Sequence, residues 1–254
     1  YRKDAASLAG QCALLKCLLG WHLQGLKEAI AYAQDAVTYS KEANDIPLLL
    51  STLDYLAWAY YYDRKSGRAL KVINQALPLL KTTKTPLSPH LQGGVYSTLA
   101  LMQARNGKKG TEALHQAAEA FFAQPETDNR FVYMDYTRAD LVLNDGMVHY
   151  HQDGYGKALN SLEQLIDPET LTLKLPLPER SRVEGINIMA MALLKHPGRD
   201  MERLMHVWKT GITEATRLKS EQSFNEALLA YDIAEAVWPG EKRVAELRDL
   251  VTHW

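Results

Sequence analysis

The side chains best suited to bind a metal are the histidines near position 150 and one Glu-x-x-His pair. His149 and His151 are two positions apart, so on a helix they point about 200° apart and cannot share a metal ion. Glu112 and His115 form the single Glu-x-x-His pair, whereas a di-iron helical bundle needs two such pairs and further glutamates. We therefore expect no metal site.

Motifs for phosphate binding and nucleophilic catalysis are also missing. No glycine-rich loop ending in Lys-Ser/Thr follows a strand pattern, and the sequence Gly-x-Ser-x-Gly does not occur. The acidic clusters from Asp135 to Asp140 and from Asp232 to Glu235 read as solvated helix faces. The sequence therefore indicates a protein that is not an enzyme, with no catalytic residue and no cofactor.

The only two cysteines, Cys12 and Cys17, lie five positions apart in an apolar helical run. Their side chains point about 140° apart, so they cannot form a disulfide with each other. Buried free cysteines are typical of a reducing compartment, and no apolar stretch is long enough to span a bilayer. These features predict a cytoplasmic protein without membrane contact.

The charge balance argues against nucleic-acid binding. Lysine and arginine number 29 against 30 acidic residues, which gives a net charge of −1 and no global field to attract an anion. The longest basic cluster, Lys108 and Lys109 beside Arg105, falls at a predicted turn and is too small to track a phosphate backbone. We interpret it as a solvated corner and expect no direct nucleic-acid contact.

The elements that must position any binding residues are short helices with small and large apolar residues at fixed spacing. The clearest unit has the first-helix stripe Leu53, Leu56, Ala57 and Tyr60, followed by the second-helix triplet Ala69, Ile73 and Ala76. The triplet recurs as Ala29-Ala33-Ala36, Ala113-Ala117-Ala120, Ala158-Leu162-Leu165 and Ala227-Tyr231-Ala234. Small residues at these points let antiparallel helices approach closely.

This pattern resembles the tetratricopeptide repeat (TPR), a helix-turn-helix unit of about 34 residues. The resemblance implies an all-α, right-handed α-solenoid of about five to six TPR-like helix pairs with a C-terminal capping helix. Strand signals are nearly absent, in agreement with this fold class.

The predicted helices divide at a proline-containing connection. We predict the pairs 5–20 with 26–43, 47–63 with 66–82, 90–106 with 109–123, and 130–152 with 155–166. Helices resume near 179–195, 200–219, 221–237 and 240–252. One continuous array would thus comprise repeats one to four over 1–166, the connection over 167–179, and the C-terminal helices over 180–254. The connection is either a hinge or a lengthened loop, and the pairing of the later helices stays open.

The TPR resemblance also implies that the first helices line a concave groove. Leu53, Ser97 and Val142 take equivalent places in repeats two to four, although Ser97 is smaller than expected there. The candidate ligand-binding residues are then Asp54, Trp58, Tyr61, Tyr62, Thr98, Met102, Arg105, Asp140, Met147, Tyr150 and His151. The remaining inward positions are Ser51, Val95, Asn106 and Leu143.

A wall rich in aromatic residues and methionine suits a partly apolar helix or extended peptide. Trp58, Tyr61 and Tyr62 would bury ligand area, and Asp54, Arg105 and Asp140 would orient it. Chaperone-docking TPR proteins hold a terminal carboxylate with several basic and amide side chains, of which only Arg105 and Asn106 are matched, so an acidic C-terminal tail is disfavoured. The alternative is that the aromatic residues pack on a neighbouring repeat or on the helices at 179–219.

The C-terminal part has a closer resemblance. The run from Arg217 to Ala227, the run from Ala236 to Arg243, and Glu246-Leu247-Arg248 resemble the end of bacterial helix-turn-helix (XRE-type) transcriptional regulators with TPR sensor domains. The nearest functional comparison is with regulators that sense peptide pheromones. The resemblance implies a ligand-sensing regulatory module that binds a short, partly apolar peptide, with an N-terminal DNA-binding domain absent from this chain.

A second function remains open from the sequence. The chain could be a protein–protein scaffold or a self-association module with no small ligand. In that case a partner protein or a second copy, forming a homodimer, would contact the helices around Trp238 and Trp254.

Overall fold

The computed structural model describes residues 1–82, 87–122, 136–198 and 200–251, without the side chains of residues 22, 23 and 122. Most of these residues are helical, and their only β-type pairing is an isolated antiparallel bridge between Ile166 and Leu173. The chain forms two compact units, Tyr1–Thr137 and Arg138–Trp254. The predicted all-α helical-repeat fold is confirmed.

Unit 1 consists of seven helices in its described residues. They are α1 (Arg2–Leu23), α2 (Leu26–Ala43), α3 (Ile46–Tyr62), α4 (Ser66–Ile73), α5 (Ala76–Thr82), α6 (Pro89–Arg105) and α7 (Thr111–Phe122). α1 packs on α2, α3 on α4, and α6 on α7, while α3 also contacts α1 and α6. Neighbouring first helices therefore lie side by side.

Local sequence explains where these helices begin and end. The Asp45 carboxylate accepts a hydrogen bond from the Leu48 backbone N–H at 3.1 Å and so caps α3. Asn44 ends α2 in the left-handed conformation, with φ of 56°. The predicted helix 66–82 is wrong in one respect, because it is interrupted between α4 and α5. The cause is Pro78, whose ring would clash with the carbonyl of Asn74 in a continuous helix.

Unit 2 also has seven helices in the part that the structure describes. They are α8 (Arg138–His151), α9 (Tyr155–Leu165), α10 (Glu179–Lys195), α11 (Met201–Arg217), α12 (Glu221–Val237), α13 (Lys242–Ala245) and α14 (Arg248–Val251). The predicted helix from 130 begins at Arg138 in the described chain, and residues 130–135 lie outside it. The predicted capping segment at 240–252 is present as two short helices, α13 and α14.

The pairing of the later helices follows from their contacts. α10 packs on α11, and α12 contacts both, just as α3 contacts both α1 and α2. Thus α12 has the position of a first helix in a new pair. Of the two pairings that the sequence left open, these contacts support α10 with α11. Ala227, Tyr231 and Ala234 then lie on a first helix, since small residues allow close approach on either helix of a pair.

The proline-containing connection is fixed to unit 2 by hydrogen bonds. The Asp167 carboxylate accepts from the backbone N–H groups of Glu169 and Thr170 at 3.0 and 2.9 Å, and these bonds hold its pKa below the usual range. Arg182 donates to the carbonyl of Leu171 at 2.9 Å, and the Leu171 side chain is fully buried. We interpret the segment as a lengthened loop.

Candidate functional site

Four aromatic side chains meet near the carboxyl ends of α1 and α3. Trp58 and Tyr62 stack with ring centroids 5.6 Å apart, and Tyr61 meets Trp58 edge-on at 5.4 Å. Trp21 of α1 meets Tyr62 edge-on at 5.0 Å. All four side chains are half-buried. We call Trp21, Trp58, Tyr61 and Tyr62 the aromatic cluster; it exists because residues three and four apart share one face of α3.

A buried hydrogen-bond network lies beside the cluster and joins α3 to α6. The indole Nε1–H of Trp58 donates to the Thr98 hydroxyl oxygen at 2.9 Å, and the Thr98 hydroxyl is hydrogen-bonded to the Asp54 carboxyl group. A hydroxyl can accept one bond and donate another. Thr98 therefore connects a half-exposed aromatic ring to a buried acid.

The Asp54 carboxyl group has an unusual environment. Only 5% of the residue is exposed, and burial raises its pKa from 3.8 to about 7, while the bond from Thr98 acts in the opposite direction. Its Oδ1 atom and the Ser51 hydroxyl, one turn earlier, have no hydrogen-bond partner among the residues that the structure describes. Such unsatisfied groups are rare in protein interiors, and each has a specific cause such as local strain, a functional role or a bound water.

A basic side chain lies at the edge of the cluster. The Arg105 guanidinium carbon is 6.0 Å from the centroid of the Tyr61 ring, within the range of a cation–π contact. The next residue, Asn106, donates from Nδ2 to the carbonyls of Ser66 and Met102 at 3.1 and 2.7 Å. Its amide therefore has a structural role in joining two turns.

The predicted ligand-binding residues separate into two sets. Seven belong to unit 1, and of these Asp54, Trp58, Tyr61, Tyr62, Thr98 and Arg105 are linked by the contacts above. The seventh, Met102, is fully buried and provides packing. The other four, Asp140, Met147, Tyr150 and His151, belong to unit 2.

The four predicted residues of unit 2 are less accessible than the aromatic cluster of unit 1. Met147 is fully buried and Tyr150 nearly so. The His151 ring lies 5.0 Å from that of Tyr150, and Lys195 Nζ lies 4.8 Å from the Tyr150 ring centroid. Asp140 is half-buried. These side chains expose less aromatic surface than the cluster of unit 1.

The sequence analysis missed Trp21. The alignment of Leu53, Ser97 and Val142 covered the first helices of repeats two to four but not α1, the first helix of the first pair. Trp21 precedes Tyr61 by the same interval as Leu26, the start of α2, precedes Ser66, the start of α4. If α1 is aligned with α3 by this interval, Trp21 takes the position in the first repeat that Tyr61 takes in the second.

The expectation that both cysteines are buried is wrong, because Cys12 lies on the outer face of α1. Cys17 is buried, which raises the pKa of its thiol to about 11, but Cys12 is exposed. Cys12 belongs to an apolar stripe with Leu8, Leu15 and Leu19, which are 61%, 54% and 60% exposed. The helix is therefore apolar on two faces, and only one is covered.

Two negative findings apply to the described chain. No cluster of three or more His, Cys, Asp or Glu side chains in it is arranged to hold a metal ion. None of its helices is both long enough and apolar enough to cross a bilayer.

Comparisons with known proteins support the repeat fold. This chain is similar to two crystal structures of nearly identical TPR-like repeats from a putative kinesin light chain of Podosopora anserina. The first, a variant with a single substitution, has a TM-score of 0.52 and 17% identity over 86% of this chain and 98% of its own. The second has a TM-score of 0.50 and 16% identity over 83% and 97%. No protein-family model and no curated protein matches the sequence.

Proposed function

We propose that this chain is a protein-interaction module that binds a short, partly apolar peptide on the aromatic cluster of unit 1. The observation that supports this proposal is a half-buried group of two tryptophans and two tyrosines, bonded through Thr98 to a buried acid. Aromatic side chains provide much contact area, and residues of this kind dominate binding energy at interfaces.

The proposal includes a regulatory role, as the sensor half of a bacterial transcriptional regulator. Its support is the C-terminal run from Arg217 to Arg248, which resembles such regulators, together with the bond between Trp58 on α3 and Thr98 on α6. A peptide that moves the Trp58 ring would change this interhelical bond. Binding would then favour one arrangement of the two helices over another and pass the change to an attached output domain.

A thermal-shift titration with synthetic random-sequence peptide pools tests the binding. A ligand present at about a hundred times its dissociation constant stabilises the folded state by about 2.7 kcal/mol, so a binding pool raises the melting temperature. The rise should disappear in Tyr61→Ala. The control is Tyr39→Ala, which removes an exposed tyrosine from α2. No rise with any pool, or equal loss in both variants, contradicts the proposal.

One observation favours the alternative of a scaffold or self-association module. The apolar stripe on α1 is suited to cover by another helix, since its residues repeat at spacings of three and four. The contact expected from the sequence involves Trp238, which is half-buried, and Trp254, which lies outside the described residues. A concentration-dependent mass that is lost in Leu15→Lys but retained in Tyr61→Ala would support this alternative.

A further inference from the structure

Two turns of unit 1 carry an excess of positive charge. Residues 63–68 and 105–109 contain one acidic residue, Asp63, and six basic ones: Arg64, Lys65, Arg68, Arg105, Lys108 and Lys109. All six basic residues are exposed. We call them the basic edge. This local excess contrasts with the net charge of −1 for the whole chain.

Backbone and side-chain contacts bring the two turns together. Asn106 Nδ2 donates to the Ser66 carbonyl across the turns at 3.1 Å. The turn after α6 is itself tightly packed, because a Cβ atom on Gly110 would clash with the Ala100 carbonyl oxygen. The fold therefore holds the backbones of the two turns that carry the basic edge next to each other.

The basic edge adjoins the aromatic cluster. Arg105 lies over the Tyr61 ring, and Arg64 follows Tyr62 after one residue. The Arg64 backbone N–H also donates to the carbonyl of Tyr61 at 2.9 Å, so the turn folds back on the end of α3. Arg105 and the turn that carries Arg64 thus connect the basic edge to the aromatic cluster within unit 1.

Intramolecular electrostatics explain only part of this arrangement. Lys65 pairs with Asp63 at 2.5 Å, and Arg105 complements the negative end of the α6 dipole. Arg68 and Lys109, however, lie at the starts of α4 and α7, where a cation is unfavourable. In the described part of the chain, no acidic side chain pairs with Arg64, Arg68 or Lys109.

We infer that the peptide bound by this surface is acidic: its carboxylates pair with the basic edge while an apolar side chain next to them packs on the aromatic cluster. This inference rests on the proposed function and specifies its ligand class. Arginine suits the role because its guanidinium binds a carboxylate through two parallel hydrogen bonds. The acids would be side chains within the peptide and need not be a terminal carboxylate.

A single-stranded nucleic acid fits the surface less well. Its bases would need open aromatic faces on which to stack. In the cluster, Trp58 stacks on Tyr62, and Arg105 lies over the ring of Tyr61. The ring faces that a base would stack on are therefore partly covered, whereas an apolar peptide side chain needs only the part of these half-buried rings that stays accessible.

The test is a selection from a random twelve-residue peptide display library on the whole chain, followed by affinity measurements on the enriched peptides. The enriched peptides should combine aspartate or glutamate with aromatic or aliphatic residues. Arg64→Asn with Arg68→Glu should weaken their binding at least tenfold, and Asn suits the left-handed backbone of position 64, where φ is 57°. The matched control is Arg2→Asn with Lys3→Glu, which makes the same charge change at the exposed start of α1 and should alter affinity by less than twofold.

The outcomes separate the two proposals. Enriched peptides without acidic residues, or with equal affinity for the basic-edge variant and the wild type, overturn the acidic-ligand inference while peptide binding stands. No enrichment in the library overturns peptide binding itself. A labelled oligonucleotide that binds the wild type and is released by the basic-edge variant would assign the edge to nucleic acid and overturn the inference. Circular dichroism confirms that each variant is folded.

Discussion

The ends of two first helices, α3 in unit 1 and α8 in unit 2, occupy equivalent places in the repeat but differ in exposure. Trp58, Tyr61 and Tyr62 correspond to Met147, Tyr150 and His151. In each unit a basic residue from the end of the next first helix lies over the tyrosine: Arg105 at 6.0 Å and Lys195 at 4.8 Å from the ring centroid. The two helices differ at the first of these positions: Trp58 on α3 is half-buried, whereas Met147 on α8 is fully buried.

The residue one turn earlier differs in chemistry between the two helices. Asp54 on α3 corresponds to Leu143 on α8, and both are buried. The leucine joins an apolar interior, whereas the acid needs hydrogen bonds and obtains one from Thr98. The comparison shows that a repeat register identifies equivalent positions but does not determine which of them remain open to a ligand.

The largest predicted effect is on the pH dependence of stability. The pKa of Asp54 is about 7 in the folded state against an ordinary 3.8, so the folded state holds its proton more tightly. The stability that the protonated Asp54 contributes is fully present below about pH 4 and is lost as the pH rises through 7. At 1.36 kcal/mol per pKa unit, the free energy of unfolding falls by up to about 4 kcal/mol. Urea unfolding at pH 5 and pH 8 should show somewhat more than half of this loss, because the rest occurs below pH 5.

Asp54→Asn should remove that part of the pH dependence, because the amide does not titrate. Asp35→Asn is the control, since it changes an exposed carboxylate on α2. If stability varied with pH in Asp54→Asn as it does in the wild type, the Asp54 carboxyl group would be hydrated, and α3 and α8 would not differ at this position in the way proposed.

Met147→Ala should lower the free energy of unfolding by about 3 kcal/mol, because it leaves a cavity in a closed interior. Chemical denaturation followed by circular dichroism measures the loss. Met147→Leu nearly conserves volume and should cost less than about 1.5 kcal/mol. If Met147→Ala were also nearly neutral, the face of α8 would be as open as that of α3.

Thr98→Val should cost about 2 kcal/mol, because it leaves the indole N–H of Trp58 and the carboxyl group of Asp54 without their shared partner. It should also raise the pKa of Asp54 further. Thr98→Ser keeps the hydroxyl group and serves as the control in the same unfolding assay. Equal stability of the Val and Ser variants would show that the network contributes nothing.

The smallest predicted effect distinguishes the two cation–π contacts. Lys195→Gln should destabilise by less than about 1 kcal/mol, and Arg105→Gln by still less, because Lys195 is closer to its ring. The difference between their unfolding midpoints is the measurement. The reverse order would indicate that Arg105 is the more firmly held cation.

Sequence periodicity predicted the fold because the repeat depends on small residues at fixed points, and Ala29, Ala33 and Ala36 are indeed fully buried. Periodicity left the pairing of α12 open, because alanine suits either helix of a pair, and it failed where a single proline breaks a helix, as at Pro78. The alternative to ligand binding, in which the aromatic residues pack on a neighbouring repeat, holds in part: Trp21 and Thr98 come from α1 and α6, but the four rings of the cluster are only half-buried.

The candidate site was less predictable, for two physical reasons. The exposure of a side chain depends on packing by residues that are distant in sequence. The repeat pattern alone therefore could not show that Trp58 is half-buried and Met147 fully buried. The basic edge combines two turns about 40 residues apart, joined by one asparagine side chain. Lys108, Lys109 and Arg105 were interpreted as a solvated corner because the repeat register was applied to the first helices and not to the turns that follow them, where Arg64 and Arg68 lie.

The most direct test of the central claim, that a peptide binds on the aromatic cluster, is hydrogen–deuterium exchange of the whole chain with and without a library-selected peptide. Binding should slow amide exchange at the carboxyl ends of α1, α3 and α6 and in the turn at 63–65, and the effect should vanish in Tyr61→Ala but persist in Tyr39→Ala. Protection confined to α8 through α12, or unaffected by Tyr61→Ala, would contradict the account.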